Sequence, residues 1–458
     1  MPTRYDAIVI GTGQAGPSLA ARLAGAGRRV AVLERTRFGG TCVNVGCIPT
    51  KTLVASARAI YMAGRGDEFG FTAGPVRVDF PRVKARMDAI VRQSTEGVER
   101  WMKKTANITV YEGHGRLEGP RTVRVDGQLL EADQIFLNVG ARARVPDLAG
   151  LGETPFLTNS GILALAVVPE HLIIVGGSYI GLEFAQIFRR FGSQVTVVEQ
   201  GDQLIGREDD DVSATVREVL ESEGVQFRLG ATCVAVRRTT GGIAAGVDCT
   251  AVAPELEGTH LLLATGRRPN TDDLGLEAAG VATDRGGFIT VDDECRTNVP
   301  GIWALGECNG RGAFTHTAYH DFEVVAARLL DADPRRVSER IPCYALYTDP
   351  PVGRVGMTSR EARASGKRVL VGSRPMAKIG RAREMSETKG FMRVLVDADS
   401  KQILGAVILG VGGDEIVHSL LDVMYTKAPF TTVSRAVHIH PTISELIPTA
   451  LQELKPLD

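Results

Sequence analysis

The chain has 458 residues, 44% of them hydrophobic, and a formal net charge of −1. That length predicts several domains with sizeable cores, and the near-neutral charge argues against a nucleic-acid-binding surface, which needs a clustered basic excess. No run of about 18 apolar residues is present, so no membrane span is expected, and seven cysteines in so long a chain do not form a secreted disulfide framework.

The N-terminus, MPTRYDAIVIG, reads as a strand entering a turn, not a leader, so a cytoplasmic protein is expected. Residues 7–34 form a complete unit: an apolar strand, a turn carrying Gly11, Gly13 and Gly16, an amphipathic helix, and a second strand ending in Glu34. The first glycine permits a tight turn, the second lets backbone approach a pyrophosphate, and the third lets helix and strand pack closely. The helix N-terminus then offers N–H groups to phosphate, and the terminal carboxylate accepts from a ribose diol. Residues 39–52, GGTCVNVGCIPTKT, follow and turn helical beyond Pro49. Residues 135–142, IFLNVGAR, read as a returning strand that places Gly140 near the nucleotide.

Residues 172–199 repeat the first unit, with Gly176, Gly181 and Glu199 matching Gly11, Gly16 and Glu34. Glu34 follows Gly11 by 23 positions, and Glu199 follows Gly176 by the same 23. Ser178 stands where the second glycine is expected and narrows that approach. The charge run from Arg207 to Asp211 reads as a solvated helix start. LLLATGRR at 261–268 repeats the returning strand and places Gly266 near the second nucleotide. GIWALGECNG at 301–310 is one more apolar strand, ending in Gly306–Glu307, and a helix is expected over 317–330. The polar stretch PRRVSERIP at 334–342 reads as a linker. Beyond it come strands such as FMRVLVDA and QILGAVILG, with helices expected over 414–425 and 443–454. The fold class is therefore α/β, with two Rossmann-like three-layer domains and a C-terminal α+β domain. The expected segments are 1–150, 151–285, 286–335 returning to the first domain, and 336–458.

Cys42 and Cys47 lie shortly after Glu34, in the domain of the first nucleotide. A dithiol beside a flavin nucleotide can take electrons from it. One thiol can then attack a substrate disulfide while the other resolves the mixed disulfide. A helix N-terminus after Cys47 and the nearby Lys51 would favour a thiolate. A zinc half-site and two idle thiols are the competing readings, though no second Cys/His pair has ligand spacing. The remaining cysteines, at 233, 249, 295, 308 and 343, are isolated core or surface thiols.

GGTCVNVGCIPTK closely resembles the active-site segment of the flavin-dependent pyridine nucleotide-disulfide oxidoreductases, the glutathione reductase and lipoamide dehydrogenase class. The resemblance covers essentially the whole chain. It implies FAD on the first unit, NADH or NADPH on the second, and a C-terminal dimerisation domain. It implies that Cys47 is the flavin-side thiol that forms a charge-transfer complex, and that Cys42 is the interchange thiol. Lys51 and Glu183 would pair near the flavin, and Tyr179 would gate the nicotinamide pocket, with Ile180 beside it. Gly40, Thr41 and Gly115 join the FAD-binding positions. Gly306–Glu307 matches the family's Gly-Asp, with a longer acid that would rearrange the contact. HIHPTISE at 438–445 implies that His440 is a general base oriented by Glu445, acting across a homodimer on the partner's cysteine pair.

Glu199 favours the free ribose diol of NADH, while Arg207 close by leaves NADPH open. The sequence looks most like the mercuric-reductase-like branch, yet it ends LQELKPLD without that enzyme's C-terminal cysteine pair. The implied activity is transfer of electrons from NAD(P)H through FAD and Cys42–Cys47 to a small-molecule disulfide or a thiol-bound metal ion. Dihydrolipoamide dehydrogenase is the first alternative, and a flavin-bearing redox sensor with negligible turnover is the second.

Overall fold

The computed structural model describes residues 1–231, 234–246 and 255–457, so Cys233 and Cys249 lie outside the described residues. The strand Thr3–Ile10 is buried throughout its second half, which is why positions 7–10 are continuously apolar. It runs parallel to Val30–Glu34 on one side and to Gln128–Leu137 on the other. Ile108–Glu112 extends the sheet beyond Val30–Glu34, and Ile302–Ala304 lies parallel to Gln128–Leu137. Two antiparallel strands, Thr122–Val125 and Arg116–Gly119, complete it. The helix Ala15–Gly25 makes the first crossover and buries Leu19 and Leu23 on this sheet's core.

A second sheet holds four parallel strands in the order Gln226–Arg228, Gln194–Val198, His171–Val175, His260–Leu263. Its crossover helix, Tyr179–Phe191, is buried along most of its length. Ala141–Ala143 pairs antiparallel with Arg267–Pro269, tying the chain after the first sheet's returning strand to the chain after the second's. The third sheet is antiparallel, with Val352–Gly356, Ile403–Leu409, Phe391–Asp397 and Val369–Pro375 at its centre. Among the described residues no helix is long and apolar enough to cross a membrane.

One hydrophobic cluster joins all three regions. It takes Leu53 and Ala57 from the helix Cys47–Gly64, Phe184 and Phe188 from Tyr179–Phe191, and Leu346 and Leu409 from the third sheet. Each fully buried Leu or Phe there is worth about 1.5–3 kcal/mol relative to exposure. The two helices that carry the reactive side chains are thus fixed to each other by packing.

Four expectations are corrected. The helix expected over 317–330 starts earlier, as Thr315–Ala326, and ends in a wider π turn, Ala327–Asp331. The helix expected over 414–425 is two, Gly413–Ile416 and His418–Tyr425. The one expected over 443–454 is a 3₁₀ turn, Ser444–Leu446, followed by Ile447–Gln452, whose first turn contains Pro448. A proline there supplies no N–H, so it begins a helix more readily than it continues one. The charge run does start a helix, Asp210–Ser222, with Arg207, Asp210 and Asp211 exposed, but it is not solvated throughout: Glu208 and Asp209 are buried, and Arg354, itself only 1% exposed, pairs with Glu208.

Candidate active site

The first glycine turn is crowded by backbone. Gly11 has φ +101°, and a Cβ there would lie 2.3 Å from the carbonyl oxygen of Asn138. Gly40, at φ +60°, brings its chain against the turn: a Cβ would sit 2.9 Å from Gly13 Cα. Gly16 packs on Gly11, and a Cβ at Gly115 would strike Leu33. Both oxygens of Glu34 are engaged at the end of its strand. Thr12 donates from N and Oγ1 to Oε2 at 3.0 and 2.6 Å, and Thr36 N donates to Oε1 at 2.9 Å. The N-cap residue Gln14 makes no side-chain bond to the helix Ala15–Gly25, and beside Gly16 N, which Asn138 takes, the helix start is open to an outside acceptor. Close-approach glycines, an open helix start and a strand-end carboxylate together fit a dinucleotide such as FAD.

The second turn repeats this arrangement. Gly176 has φ +116° and packs on Ala264, and Gly181 packs on Gly176. Glu199 Oε2 accepts from Gly177 N at 2.5 Å and Oε1 from Gly201 N at 2.8 Å. A cavity of about 560 Å³ opens here, lined by Gly177, Ser178, Glu199, Gln203 and Arg360. Ser178 is exposed and precedes the helix Tyr179–Phe191, which likewise has no side-chain cap. Ile180 packs on the shared core beside Tyr179.

Cys42 lies in the short helix Gly40–Val45, and Cys47 opens the helix Cys47–Gly64 after a sharp bend at Gly46. That bend needs glycine, because a Cβ would meet Thr41 O at 2.8 Å. Both thiols are free. A hydrogen bond from Cys42, with help from Thr315 and the Lys51 charge, lowers Cys47 to about 6 against the cost of burial. The same bond, with burial, pushes Cys42 far up. Thr315 Oγ1 lies 3.3 Å from Cys47 Sγ. Lys51 Nζ donates to Glu183 Oε2 at 2.7 Å, and Glu183 is buried. Among the described residues no group of three or more His, Cys, Asp or Glu side chains is placed to hold a metal ion.

Tyr179 packs on Phe314 with ring centroids 5.5 Å apart, and Phe314 stacks on Tyr344 at 5.8 Å. Gly306 N donates to Asp321 Oδ2 at 2.8 Å, and Glu307 accepts from Arg267 Nε at 2.7 Å. Gly140 and Gly266 both have positive φ, and each carbonyl takes a backbone N–H: Asn270 N at 3.0 Å for Gly140 and Arg144 N at 2.9 Å for Gly266. His440 Nδ1 lies 2.9 Å from Glu445 Oε2, so the carboxylate holds the proton on Nδ1 and leaves the Nε2 lone pair free. The His440 side chain is 81% exposed in the single chain.

Three further residues complete the site. Asn138 receives Gly16 N at 2.9 Å and donates to Leu305 O at 3.0 Å, tying the glycine turn to the strand Ile302–Ala304 and its exit. Its signal was a lone amide closing the apolar strand IFLNVG. Thr315 and Tyr347 carry no local signal, since each meets its partner far along the chain.

The family model described as pyridine nucleotide-disulphide oxidoreductase matches residues 5–321, and that family's dimerisation domain matches residues 343–451. The chain belongs to this family. It is 35% identical over 451 residues to the probable pyridine nucleotide-disulfide oxidoreductase RclA of Escherichia coli, covering 96% of this chain and 97% of that protein. It is 34% identical over 465 residues to dihydrolipoyl dehydrogenase of Cupriavidus necator, covering 98% and 97%. The solved structure of the HOCl-induced flavoprotein disulfide reductase RclA from Escherichia coli superposes with a TM-score of 0.90 at 34% identity, over 98% of this chain and 100% of that one. A Cu(II) complex of the same Escherichia coli protein gives 0.90 at 33% identity, over 98% and 99%. As a family member the chain is an FAD-dependent oxidoreductase that uses NAD(P)H, and its C-terminal domain is one that forms homodimers.

Proposed function

We propose that this protein is a cytoplasmic NAD(P)H-dependent reductase of the RclA kind, passing electrons through Cys42–Cys47 to a small disulfide or a thiol-bound metal ion. The observation that carries this is the asymmetric pair: Cys47 lowered to about 6 beside Lys51–Glu183, and Cys42 held as the protonated partner. The sheet memberships support the segments 1–150, 151–285, 286–335 and 336–458, with Ile302–Ala304 in the first sheet. FAD would be held by Gly11, Gly13, Gly16, Glu34, Gly40, Thr41 and Gly306. When bound, it relays an electron pair from the nicotinamide to the cysteine disulfide.

The chain's own steps then follow. Two electrons open the Cys42–Cys47 bond, leaving a thiolate on Cys47 and a proton on Cys42. His440 of one chain, held by Glu445, takes that proton from Cys42 of the partner subunit. The Cys42 thiolate attacks a substrate disulfide and forms a mixed disulfide, and the leaving thiolate collects the proton from His440. Cys47 attacks Cys42, expels the second thiolate and restores the pair. Each cycle consumes one NAD(P)H and one proton and yields two thiols.

The named relatives are RclA and dihydrolipoyl dehydrogenases, which draws the acceptor towards those two and away from mercuric reductase. Dihydrolipoamide oxidation is the second reading, favoured by the His440–Glu445 pair. Anaerobic titration should consume about two equivalents of NADH per chain, one for the flavin and one for the cysteine pair. Uptake of a single equivalent that bleaches the flavin, with no long-wavelength charge-transfer band, would remove the cysteine pair from the electron path. A panel of lipoamide, glutathione disulfide, Cu(II) and Hg(II) then separates the acceptors.

Glu199 supports NADH as the preferred donor. Its carboxylate stands at the cavity that would take the adenosine ribose, and a 2′-phosphate there would meet a negative charge. Glu199→Ala is expected to raise KM for NADH by about tenfold with kcat unchanged, the signature of lost uniform binding. An equal KM for NADH and NADPH in the unaltered enzyme would overturn the preference.

A further inference from the structure

Tyr347 reaches the site from the third sheet, directly after the strand Cys343–Leu346. It touches both members of the Lys51–Glu183 pair. Its backbone N–H donates to Glu183 Oε1 at 3.1 Å, while Lys51 takes the other oxygen at 2.7 Å. Its ring faces the same ammonium, with Lys51 Nζ 4.5 Å from the ring centroid. Carboxylate and aromatic face therefore hold the cation from two sides.

The segment is itself gripped. Gln186 Oε1 accepts from Asp349 N at 2.8 Å, and its amide donates back to Asp349 O at 2.9 Å. Arg190 Nη1 donates to Asp349 Oδ2 at 2.8 Å, and Arg58 pairs with the other Asp349 oxygen. Glu183, Gln186 and Arg190 lie on one helix face by their spacing of three and four. Lys51 and Arg58 come from the helix that Cys47 opens. Residues 347–349 thus run between the two helices that hold the reactive groups.

An unsupported lysine would not keep its position here. Its stem is flexible, its ammonium is strongly hydrated, and 34% of its side chain is exposed. We propose that Tyr347 is a positioning residue for the disulfide chemistry, holding the Lys51–Glu183 pair where the ammonium stabilises a thiolate on Cys47. This rests on the assignment of Cys47 as the flavin-side thiol. Cys47 is faced by Cys42, Thr315, Lys51 and Glu183, and Tyr347 by Asp414, Glu183, Cys47 and Glu415. Tyr347 acts only on the share that Lys51 supplies, so its effect is smaller than that of losing Cys42.

The test is carried out on the holoenzyme in a Cys42→Ser background, where the pair is reduced to one thiol. Iodoacetamide alkylation of Cys47 is followed across pH by peptide mass spectrometry. Tyr347→Leu should raise the midpoint by about one pH unit, a tenfold slower reaction below it. Tyr347→Phe keeps the ring and should stay within about 0.3 unit. Lys51→Gln should raise the midpoint at least as far as Tyr347→Leu, and combining the two should add nothing. Tyr347→Met gives the same readout should the Leu variant not fold. An unmoved midpoint in Tyr347→Leu, an equal shift in Tyr347→Phe, or additive shifts in the double variant each overturn the proposal. Alkylation needs no turnover, so the absence of disulfide reduction by the unaltered enzyme would overturn the proposed activity alone.

Discussion

Replacing Cys42 with Ser is expected to lower NAD(P)H-dependent disulfide reduction by more than about 10³-fold, while the rate at which NAD(P)H reduces the bound flavin changes by less than about twofold. The asymmetry of the pair decides this. The hydrogen bond from Cys42, then Thr315 and the Lys51 charge, lower Cys47 to about 6, so it holds negative charge at neutral pH. Cys42 is the hydrogen-bond donor to it and is held as a thiol. A serine hydroxyl can keep that bond, but it is no nucleophile towards sulfur near pH 7. Electron entry is untouched because Glu183, Lys51 and the two glycine turns are unaltered. Stopped-flow flavin absorbance measures the first half-reaction, and thiol release measures the second. Retained disulfide turnover in Cys42→Ser would sink its role as the interchange thiol.

What could be seen in the sequence divides along physical lines. Gly11, Gly16, Gly176 and Gly181 were legible because backbone sterics demand glycine there, and the demand recurs at fixed spacing. The cysteine pair and Lys51 were legible because their chemistry lies within one short segment. Asn138, Thr315 and Tyr347 act over separations of 122, 268 and 164 positions, which no local pattern encodes. The run from Arg207 to Asp211 was half legible for the same reason: it does start a helix at the surface with Asp210 and Asp211, but Glu208 and Asp209 are buried. A cluster of charges normally faces water, and only the partner, Arg354, reveals that Glu208 does not. The available hint was Arg354 itself, a single cation inside the apolar strand Val352–Gly356. Helix ends were misjudged where hydrophobic spacing ran on past a local break, as at Pro448.

Glu208→Ala is expected to cost about 3–5 kcal/mol of stability, because it strands a buried guanidinium. Arg354 Nε donates to Glu208 Oε2 at 3.1 Å, and both side chains are 1% exposed. The remaining carboxylate, Asp209, lies 3.5 Å from Arg354 but already accepts from the backbone N–H groups of Ser359 and Arg360 at 3.0 and 3.1 Å. It is poorly placed to replace Glu208. Urea unfolding of the holoenzyme reads the loss as a lower midpoint. The double variant Glu208→Leu, Arg354→Met removes both charges and should recover all but about 1 kcal/mol, since well-packed apolar residues replace buried pairs at little cost. Failure of that recovery would mean that Glu208 stabilises the fold by something other than neutralising Arg354. A second readout separates fold from function. Tyr344 donates its hydroxyl to Glu208 and stacks on Phe314, which packs on Tyr179 and precedes the Thr315 that touches Cys47. The double variant leaves Tyr344 without its acceptor even when stability is restored. Its KM for NAD(P)H should therefore stay raised by about threefold to tenfold, the worth of one hydrogen bond holding the ring stack in register. A double variant with both stability and KM restored would confine Glu208 to the core and free the Tyr344–Phe314–Tyr179 stack from any dependence on it.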